Sequence, residues 1–138
     1  MMNLRKISLA DSGFFFENLN DPEIKKSYNN IPDKITLDDI KQQINKIKDN
    51  CFVIEFDGKP IGMRYFWNLG DNIFDTGSWI TKDFRRKGFG SIAFEEFVKK
   101  FQNDTIFRMK PKNPIAEKFA SRNGFIKDRD GFWYFQNK

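Results

Sequence analysis

The sequence predicts a single domain of the mixed α/β (α+β) class, with a mostly antiparallel sheet of six to seven strands and about four helices. Three observations predict this class. The length of 138 residues is that of one domain, and 39% hydrophobic residues can supply its core. Apolar residues alternate with period two in the middle of the chain and recur at helical spacing on both sides of it. Turn dipeptides separate the alternating stretches, which is typical of an antiparallel meander.

The first third of the chain is predicted to hold one strand and two helices. Residues 3–7 can form a short strand, and residues 11–19 a helix. Pro22 fits the first position of a helical turn. Apolar residues recur at helical spacing over residues 37–48, behind a capping box that begins at Thr36. We therefore expect an amphipathic helix there.

The middle of the chain changes to the period of a strand. Residues 51–56, 60–67 and 73–81 are each rich in β-branched and aromatic side chains. An Asp-Gly pair at 57–58 and a Gly-Asp-Asn turn at 70–72 separate them. These residues predict three consecutive antiparallel strands.

The last third is predicted to contain two helices and three strands. A helix is expected over residues 91–101 and a short strand over 105–109. A second helix over 113–122 begins with an Asn-Pro pair and ends at an Asn-Gly pair. Residues 125–127 and 132–135 then flank an Asp-Gly turn and predict a final hairpin.

The composition excludes several kinds of function. The chain has no histidine and one cysteine, so Ser-His and Cys-His hydrolases, histidine metal sites and internal disulfides are excluded. No metal is expected. Cys51 opens an apolar stretch and is interpreted as a buried structural thiol. No apolar run approaches the roughly 20 residues of a membrane span, and no secretory signal is visible. We expect a cytoplasmic protein.

The charge is unevenly distributed. Residues 1–84 carry 11 Lys and Arg against 13 Asp and Glu, a net charge of −2, whereas residues 85–138 carry 13 against 6, a net charge of +7. A basic half attracts polyanions, such as nucleic acid or a phosphate-bearing cofactor. The basic residues are scattered over helices and strands, and no nucleic-acid signature is present. Nucleic acid is therefore the less favoured partner.

The loop Arg85-Arg86-Lys87-Gly88-Phe89-Gly90, which joins a predicted strand to a predicted helix, is the strongest functional signal. The first turn of a helix has unpaired N–H groups and a partial positive charge, so it binds anions. The two glycines allow the backbone to approach a phosphate. The spacing differs from that of the P-loop and of the dinucleotide-binding loop. The loop predicts a phosphate site of another kind.

In this context, Arg85-x-x-Gly88-x-Gly90 resembles the acetyl-CoA pyrophosphate loop of the GNAT acetyltransferase superfamily. The resemblance covers nearly the whole chain, because the order of predicted elements is similar too. It implies a GNAT-like fold over residues 1–138, in which two neighbouring strands splay apart at the cofactor cleft. It also implies acetyl-CoA as co-substrate.

Two further segments resemble the same superfamily. Asn113-x-x-Ala116, with a Gly-Phe pair at 124–125, is similar to its second signature. The opening stretch at 20–24, Asn-Asp-Pro-Glu-Ile, resembles the branch that contains ribosomal-protein and amino-sugar N-acetyltransferases.

The resemblance implies roles for individual residues. Backbone amides of the loop and of the first helical turn would hold the pyrophosphate. The loop residues in this prediction are Arg85, Arg86, Lys87, Gly88, Phe89, Gly90 and Ser91. The backbone of the preceding strand would pair with the pantetheine arm, and an N–H near Ile80 would polarise the thioester carbonyl. The remaining cofactor contacts in this prediction are Trp79, Thr81, Asn113, Phe119 and Ala120.

The chain departs from the superfamily in its proton chemistry. Many members have a tyrosine four residues before the Gly-Phe pair, proposed to protonate the leaving thiolate, and here that position is Ala120. A thiol has a pKa of about 8.5, so the loss is expected to slow the reaction and not to abolish it. Some members have a glutamate on the strand before the loop as general base, and the resemblance assigns that position to Asp75. Because Asp is shorter, it is expected to act through a water, and Glu55 is a rival base. Tyr28 and Tyr65 are candidates for orienting substrate or donating a proton.

The leading hypothesis is an N-acetyltransferase that acts by direct attack of an amine on acetyl-CoA. The acceptor could be a protein N-terminus, an amino sugar or a small amine. A non-catalytic acyl-CoA-binding module is the alternative, because the tyrosine is missing, and a basic nucleic-acid-binding protein is the third hypothesis. A monomer or a homodimer is expected, with no membrane partner.

Overall fold

A computed structural model describes residues 1–28, 31–32 and 34–138. Its seven strands form one sheet in the order β1-β2-β3-β4-β5-β7-β6. The strands are β1 (Met2–Lys6), β2 (Cys51–Phe56), β3 (Lys59–Gly70), β4 (Ile73–Ile80), β5 (Ile106–Met109), β6 (Ile126–Lys127) and β7 (Trp133–Gln136). Every neighbouring pair is antiparallel except β4 and β5, which are parallel.

The helices begin where the sequence supplies caps. The described helices are α1 (Ser12–Asn18), α2 (Pro22–Lys25), α3 (Leu37–Ile47), α4 (Phe89–Val98) and α5 (Pro114–Arg122). The Thr36 hydroxyl accepts from the N–H of Asp39, and the Asp39 carboxylate accepts in return from the N–H of Thr36. This reciprocal pair is the predicted capping box. The Asn113 Oδ1 likewise accepts from the N–H of Ala116 at 2.8 Å and caps α5.

The pairing of β4 with β5 covers only three residues of each strand. Ile73, Phe74 and Asp75 pair with residues 106–108. The rest of β4, residues 76–80, pairs with β3 on one side and has no strand among the described residues on the other. The two strands therefore separate after Asp75, and a cleft opens along the second half of β4.

The two faces of the sheet carry separate cores. On one face, α1 and α3 bury aliphatic and aromatic side chains such as Phe15, Ile40 and Ile44 against β2 and β3. On the other face, α4 and α5 pack through phenylalanines that include Phe94 and Phe97. Much of the chain's unusual content of 17 phenylalanines is used in this second core. Both cores include side chains of β4, Trp79 in the first and Phe74 and Ile80 in the second.

The predicted fold class and strand number are confirmed. The differences lie at element ends: β3 runs over 59–70 in place of 60–67, and α4 begins at Phe89 in place of Ser91. β3 is longer because its last residues pair with the first residues of β4 across the turn. None of the helices described here is long and apolar enough to cross a membrane.

Candidate active site

The start of α4 presents a group of backbone N–H donors. Arg86 and Gly88 both have positive φ values, +62° and +83°, and Gly88 is the N-cap without a side-chain cap. Within the described chain, no acceptor is hydrogen-bonded to the N–H groups of residues 86–91. Backbone that alternates between left-handed and right-handed conformations turns successive N–H groups toward one point, which suits an anion. The predicted phosphate loop thus has the geometry of an anion site.

Two lysines extend the positive charge of this loop. Lys59 Nζ lies 5.3 Å and Lys87 Nζ 5.9 Å from the centre of the Phe84 ring. Lys59 belongs to β3 and lies 26 residues before Arg85 in the sequence. The sequence prediction missed it, because only the packing of the β2–β3 turn against residues 82–84 brings it to the loop.

The open edge of β4 directs its free backbone groups into the cleft. The carbonyl of Asn72 accepts from Ile106 N–H on the β5 side, whereas the N–H of Thr81 bonds the carbonyl of Ile61 on the β3 side at 2.7 Å. Backbone groups alternate between the two edges of a strand. Even-numbered residues of β4 therefore face the cleft, and beyond the last β5 pair these are Thr76, Ser78 and Ile80.

This alternation narrows the predicted contacts with an extended ligand. Of Trp79, Ile80 and Thr81, only Ile80 directs its backbone into the cleft. Ser78 does so too and was missed, although the period of a strand could have indicated it. The Trp79 side chain is 6% exposed and donates from Nε1 to the Tyr28 hydroxyl at 2.6 Å, so it belongs to the core. The roles of these residues toward a cofactor stay predictions.

Ile80 is held very close to β3. A Cβ on its partner Gly62 would lie 2.3 Å from the carbonyl oxygen of Trp79 and 3.2 Å from Ile80 Cα. Opposing residues without mutual hydrogen bonds approach each other most closely in an antiparallel pair. Only glycine fits at position 62, and this contact fixes the position of the Ile80 N–H.

Arg85 connects the loop to the N-terminal half of the chain. Its Nε donates to the carbonyl of Ile80 at 2.8 Å, and its Nη2 donates to Asp21 Oδ2 at 2.7 Å. Its Nη1 lies 3.0 Å from Glu23 Oε2. Burial alone would raise the pKa of Asp21, but the hydrogen bonds from Arg85 and from the Glu23 N–H outweigh it and lower that pKa. The Arg85 guanidinium, predicted to contact the cofactor, is thus already used within the protein.

The second predicted wall of the cleft is α5. Phe119 is half-buried, and its ring would lie 3.5 Å from a Cβ on Gly90, so it faces the start of α4. Ala120 is completely buried in the second core. Only Phe119 of this pair offers surface to a ligand. Asn113 is exposed and uses its Oδ1 for the α5 cap, which leaves its amide nitrogen for other contacts.

The predicted general base is part of an ion pair. Asp75 accepts from Arg108 Nε at 2.5 Å and from Nη2 at 3.1 Å, one bond to each carboxylate oxygen. This bidentate pair raises the pKa of Arg108, and the Arg108 guanidinium also lies 4.0 Å from the Phe132 ring centre. Because both oxygens are taken, the geometry disfavours Asp75 as a free base. Its rival Glu55 accepts from Arg5 at 2.8 Å and is similarly engaged.

Of the remaining candidates for proton transfer, Tyr28 and Tyr65 are partly buried, and the Cys51 thiol is buried. Burial raises the pKa of Tyr65, although its interaction with Trp79 opposes the effect. Burial also raises the pKa of the Cys51 thiol. The thiol lies in the first core, and the interpretation of Cys51 as a buried structural residue is confirmed. The raised pKa keeps Tyr65 and Cys51 protonated near neutral pH, so neither is a base or an anionic nucleophile.

A parallel strand pair that separates beside a helix start with free amides is an arrangement that suits an extended anionic ligand along β4. The family model described as acetyltransferase (GNAT) domain matches residues 2–126. The chain belongs to this family of acetyltransferases, whose co-substrate is acetyl-CoA, and the resemblance stated from the loop is confirmed. No curated protein matches the sequence.

Solved structures share this fold at low sequence identity. RimL, a ribosomal L7/L12 α-N-protein acetyltransferase, aligns with a TM-score of 0.81 at 10% identity, over 98% of this chain and 90% of its own. The aminoglycoside acetyltransferase AAC(6')-Ib in complex with coenzyme A aligns at 0.77 and 18%, over 99% and 95%. A GNAT acetyltransferase from Streptococcus pneumoniae aligns at 0.70 and 15% over the whole of both chains. These likenesses show the fold alone.

Proposed function

We propose that this chain transfers the acetyl group of acetyl-CoA to a primary amine, and that the acceptor carries a single reactive amine, as a peptide N-terminus does. The open edge of β4, which leads away from the free amides of α4, is the observation that supports transfer. The charge pairing around the cleft supports the choice of acceptor.

The first part of the proposal is cofactor binding. The N–H groups of residues 86–91 hold the pyrophosphate, and Lys59 and Lys87 supply charge beside it. The backbone of Ser78 bonds the pantetheine arm as an added strand would, and the N–H of Ile80 is left for the thioester. These residues fit coenzyme A, because their backbone N–H groups face the cleft and have no hydrogen-bond partner within the described chain.

The second part is the chemistry of transfer. The free amine attacks the thioester carbonyl, and the Ile80 N–H stabilises the negative charge that develops on its oxygen. The Gly62 contact and the Arg85 bond to the Ile80 carbonyl fix this donor in place, which is what a preorganised donor requires. Since Asp75 is paired with Arg108, the amine loses its proton to water and not to a fixed base.

The third part concerns the acceptor. A polycation such as an aminoglycoside needs several free carboxylates to bind its additional ammonium groups. Near the cleft, Asp75 pairs with Arg108, and Asp21 with Arg85. With these carboxylates neutralised, an acceptor with one amine matches the site better than a polyamine does. The alignment with RimL is compatible with a peptide N-terminus.

A non-catalytic acyl-CoA-binding module is the second candidate. The buried Ala120 at the tyrosine position and the paired Asp75 favour it, because the site then lacks both a proton donor and a free base. Binding of coenzyme A without turnover distinguishes this candidate from the enzyme.

The test is thiol release from acetyl-CoA with a panel of peptides, amino sugars and polyamines. We expect release with peptide amines above the rate without acceptor, and weaker release with polyamines. Replacing Gly88 by Val should abolish both binding and release, because a β-branched residue is strained at a φ of +83°. Gly13→Ala is the matched control, since its Cβ meets no atom within 4 Å. Tight binding without release from any amine would favour the binding module.

A further inference from the structure

Arg64 is a charged residue buried inside the protein. It lies on β3, is 1% exposed, and donates from Nη1 to the Thr76 hydroxyl at 3.1 Å. Its Nε and Nη2 are buried and have no hydrogen-bond partner in the described part of the chain. Leaving charged donors unpaired in a core costs free energy, so their retention calls for a reason.

The surroundings of Arg64 do not neutralise it. The guanidinium carbon lies 5.2 Å from the ring centre of Phe94, 5.4 Å from that of Phe97 and 5.8 Å from that of Phe119. The groups that face it from β4, α4 and α5 are therefore Thr76 and three rings, and none of them titrates. Cation–π contacts offset part of the desolvation but satisfy no N–H. Burial lowers the pKa of Arg64 to about 9, so the residue stays charged at neutral pH.

The guanidinium lies where the cleft begins. Thr76, its hydrogen-bond partner, is the first residue of β4 after the last β4–β5 pair, Asp75 with Arg108. Phe119, on its other side, is the α5 residue that faces the loop. Arg64 therefore lies close to the point where the two strands separate, and the Phe119 ring contacts both Arg64 and the start of α4.

We propose that Arg64 is a further catalytic residue, whose two unpaired donors bind the sulfur of coenzyme A as it leaves. The proposal rests on the proposed function. When the amine nitrogen bonds to the carbonyl carbon, the C–S bond breaks, its electron pair stays on sulfur, and the nitrogen proton passes to water. The sulfur then carries one negative charge, which Arg64 balances after the Phe119 ring turns aside. A fixed cation thereby takes the place of the tyrosine that many members of the superfamily have at the position of Ala120.

A structural role and a catalytic role predict opposite results. If Arg64 only supports the core, its replacement by Met loses packing and lowers stability. If it is kept for chemistry, Arg64→Met removes an uncompensated buried charge and leaves stability unchanged or raised. Arg5 is the matched control, because its guanidinium is fully engaged with Asp11 and Glu55 away from the cleft.

The experiment is an ultraviolet titration of the coenzyme A thiol bound to the full chain. Free thiol titrates near pH ~8.5, and we expect the wild-type complex to titrate at least about one pH unit lower. Arg64→Met should return the value to that of free coenzyme A, with a lower kcat, little change in the KM for acetyl-CoA and no loss of thermal stability. Arg64→Lys should keep part of the shift, since it keeps the charge. Arg5→Met should lower thermal stability and leave the pKa of the bound coenzyme A thiol as in the wild type.

Each result decides a different question. Bound coenzyme A with an unshifted thiol in the wild type overturns the role of Arg64 and leaves the proposed function standing. A shifted thiol without transfer to any amine overturns the proposed function and retains Arg64 as a thiolate-binding residue. Failure to bind coenzyme A overturns both. Should Arg64→Met not fold, the structural role is supported, and the Arg64→Lys titration decides whether the charge also acts on sulfur.

Discussion

Replacing Gly62 by Ala tests whether the position of the Ile80 N–H controls the rate. The added Cβ would start 2.3 Å from the Trp79 carbonyl oxygen, and real Cβ contacts below 3.0 Å are essentially never seen. β3 and β4 must therefore separate by at least about 0.7 Å, the difference of these two values. The nearest of these atoms, the Trp79 carbonyl oxygen, belongs to the backbone of β4, so a side-chain rotation cannot relieve the contact.

The expected effect combines strain with misplacement. Overpacking of this kind costs about 1–3 kcal/mol, and at about 2 kcal/mol the melting temperature of a chain this size falls by roughly 8 °C. A catalytic group displaced by about 1 Å loses on the order of 100-fold in rate, so we expect kcat to fall by roughly 10- to 100-fold. The KM for acetyl-CoA should change much less, because the amides of α4 do not move.

The assays are thermal unfolding and steady-state thiol release with the best peptide acceptor. Gly77→Ala is the control for stability and coenzyme A affinity, since it adds the same methyl to β4 where no atom lies within 4 Å. A Gly62→Ala variant that melts and turns over like the wild type would refute the assignment of Ile80 as the positioned donor.

Three further predictions concern charged residues. Arg85→Met should weaken coenzyme A binding about tenfold and destabilise the fold by about 2 kcal/mol, because the half-buried Asp21 loses its ion-pair partner and keeps only the Glu23 N–H. Calorimetry measures the binding, and thermal unfolding measures the stability. The lowered pKa of Asp21 contributes stability that is present above pH ~3.9 and is lost as the pH falls through the folded-state pKa. Asp21→Asn should therefore flatten the acid limb of the curve of unfolding free energy against pH. Asp75→Asn should reduce kcat by a similar factor at neutral and high pH, because Arg108 already occupies that carboxylate.

Other outcomes would contradict these predictions. Unchanged affinity in Arg85→Met would mean that the loop keeps its position without the bond to the Ile80 carbonyl. An acid limb as steep in Asp21→Asn as in the wild type would assign the acid sensitivity to other carboxylates, such as Asp11. A rate loss in Asp75→Asn that disappears at high pH, where the amine is already neutral, would restore Asp75 as general base.

Local patterns in the sequence were sufficient to predict the helices and strands and to single out the loop at residues 85–90. Helix caps, strand period and turn dipeptides act between residues close in the chain, so Thr36, Asn113 and the Asp-Gly turns indicated element ends correctly. The loop at 85–90 was recognisable for the same reason, because an anion site at a helix start depends on consecutive backbone groups. The ends of β3 and α4 were less accurate, since they depend on pairing and on the unusual φ of Gly88.

Long-range contacts decided the chemistry of the site. No local pattern relates Asp75 to Arg108, 33 residues away, or Arg85 to Asp21, 64 residues away, and these pairs determine which charges remain free. No local pattern predicts the surroundings of Arg64 either. In the sequence it is one arginine in a strand, and in the fold it is enclosed by rings from two helices. Sequence alone therefore determined the family and the fold, and it predicted the cofactor loop. Only the tertiary structure decided which donors, acids and bases are available, because burial and pairing arise when distant segments meet.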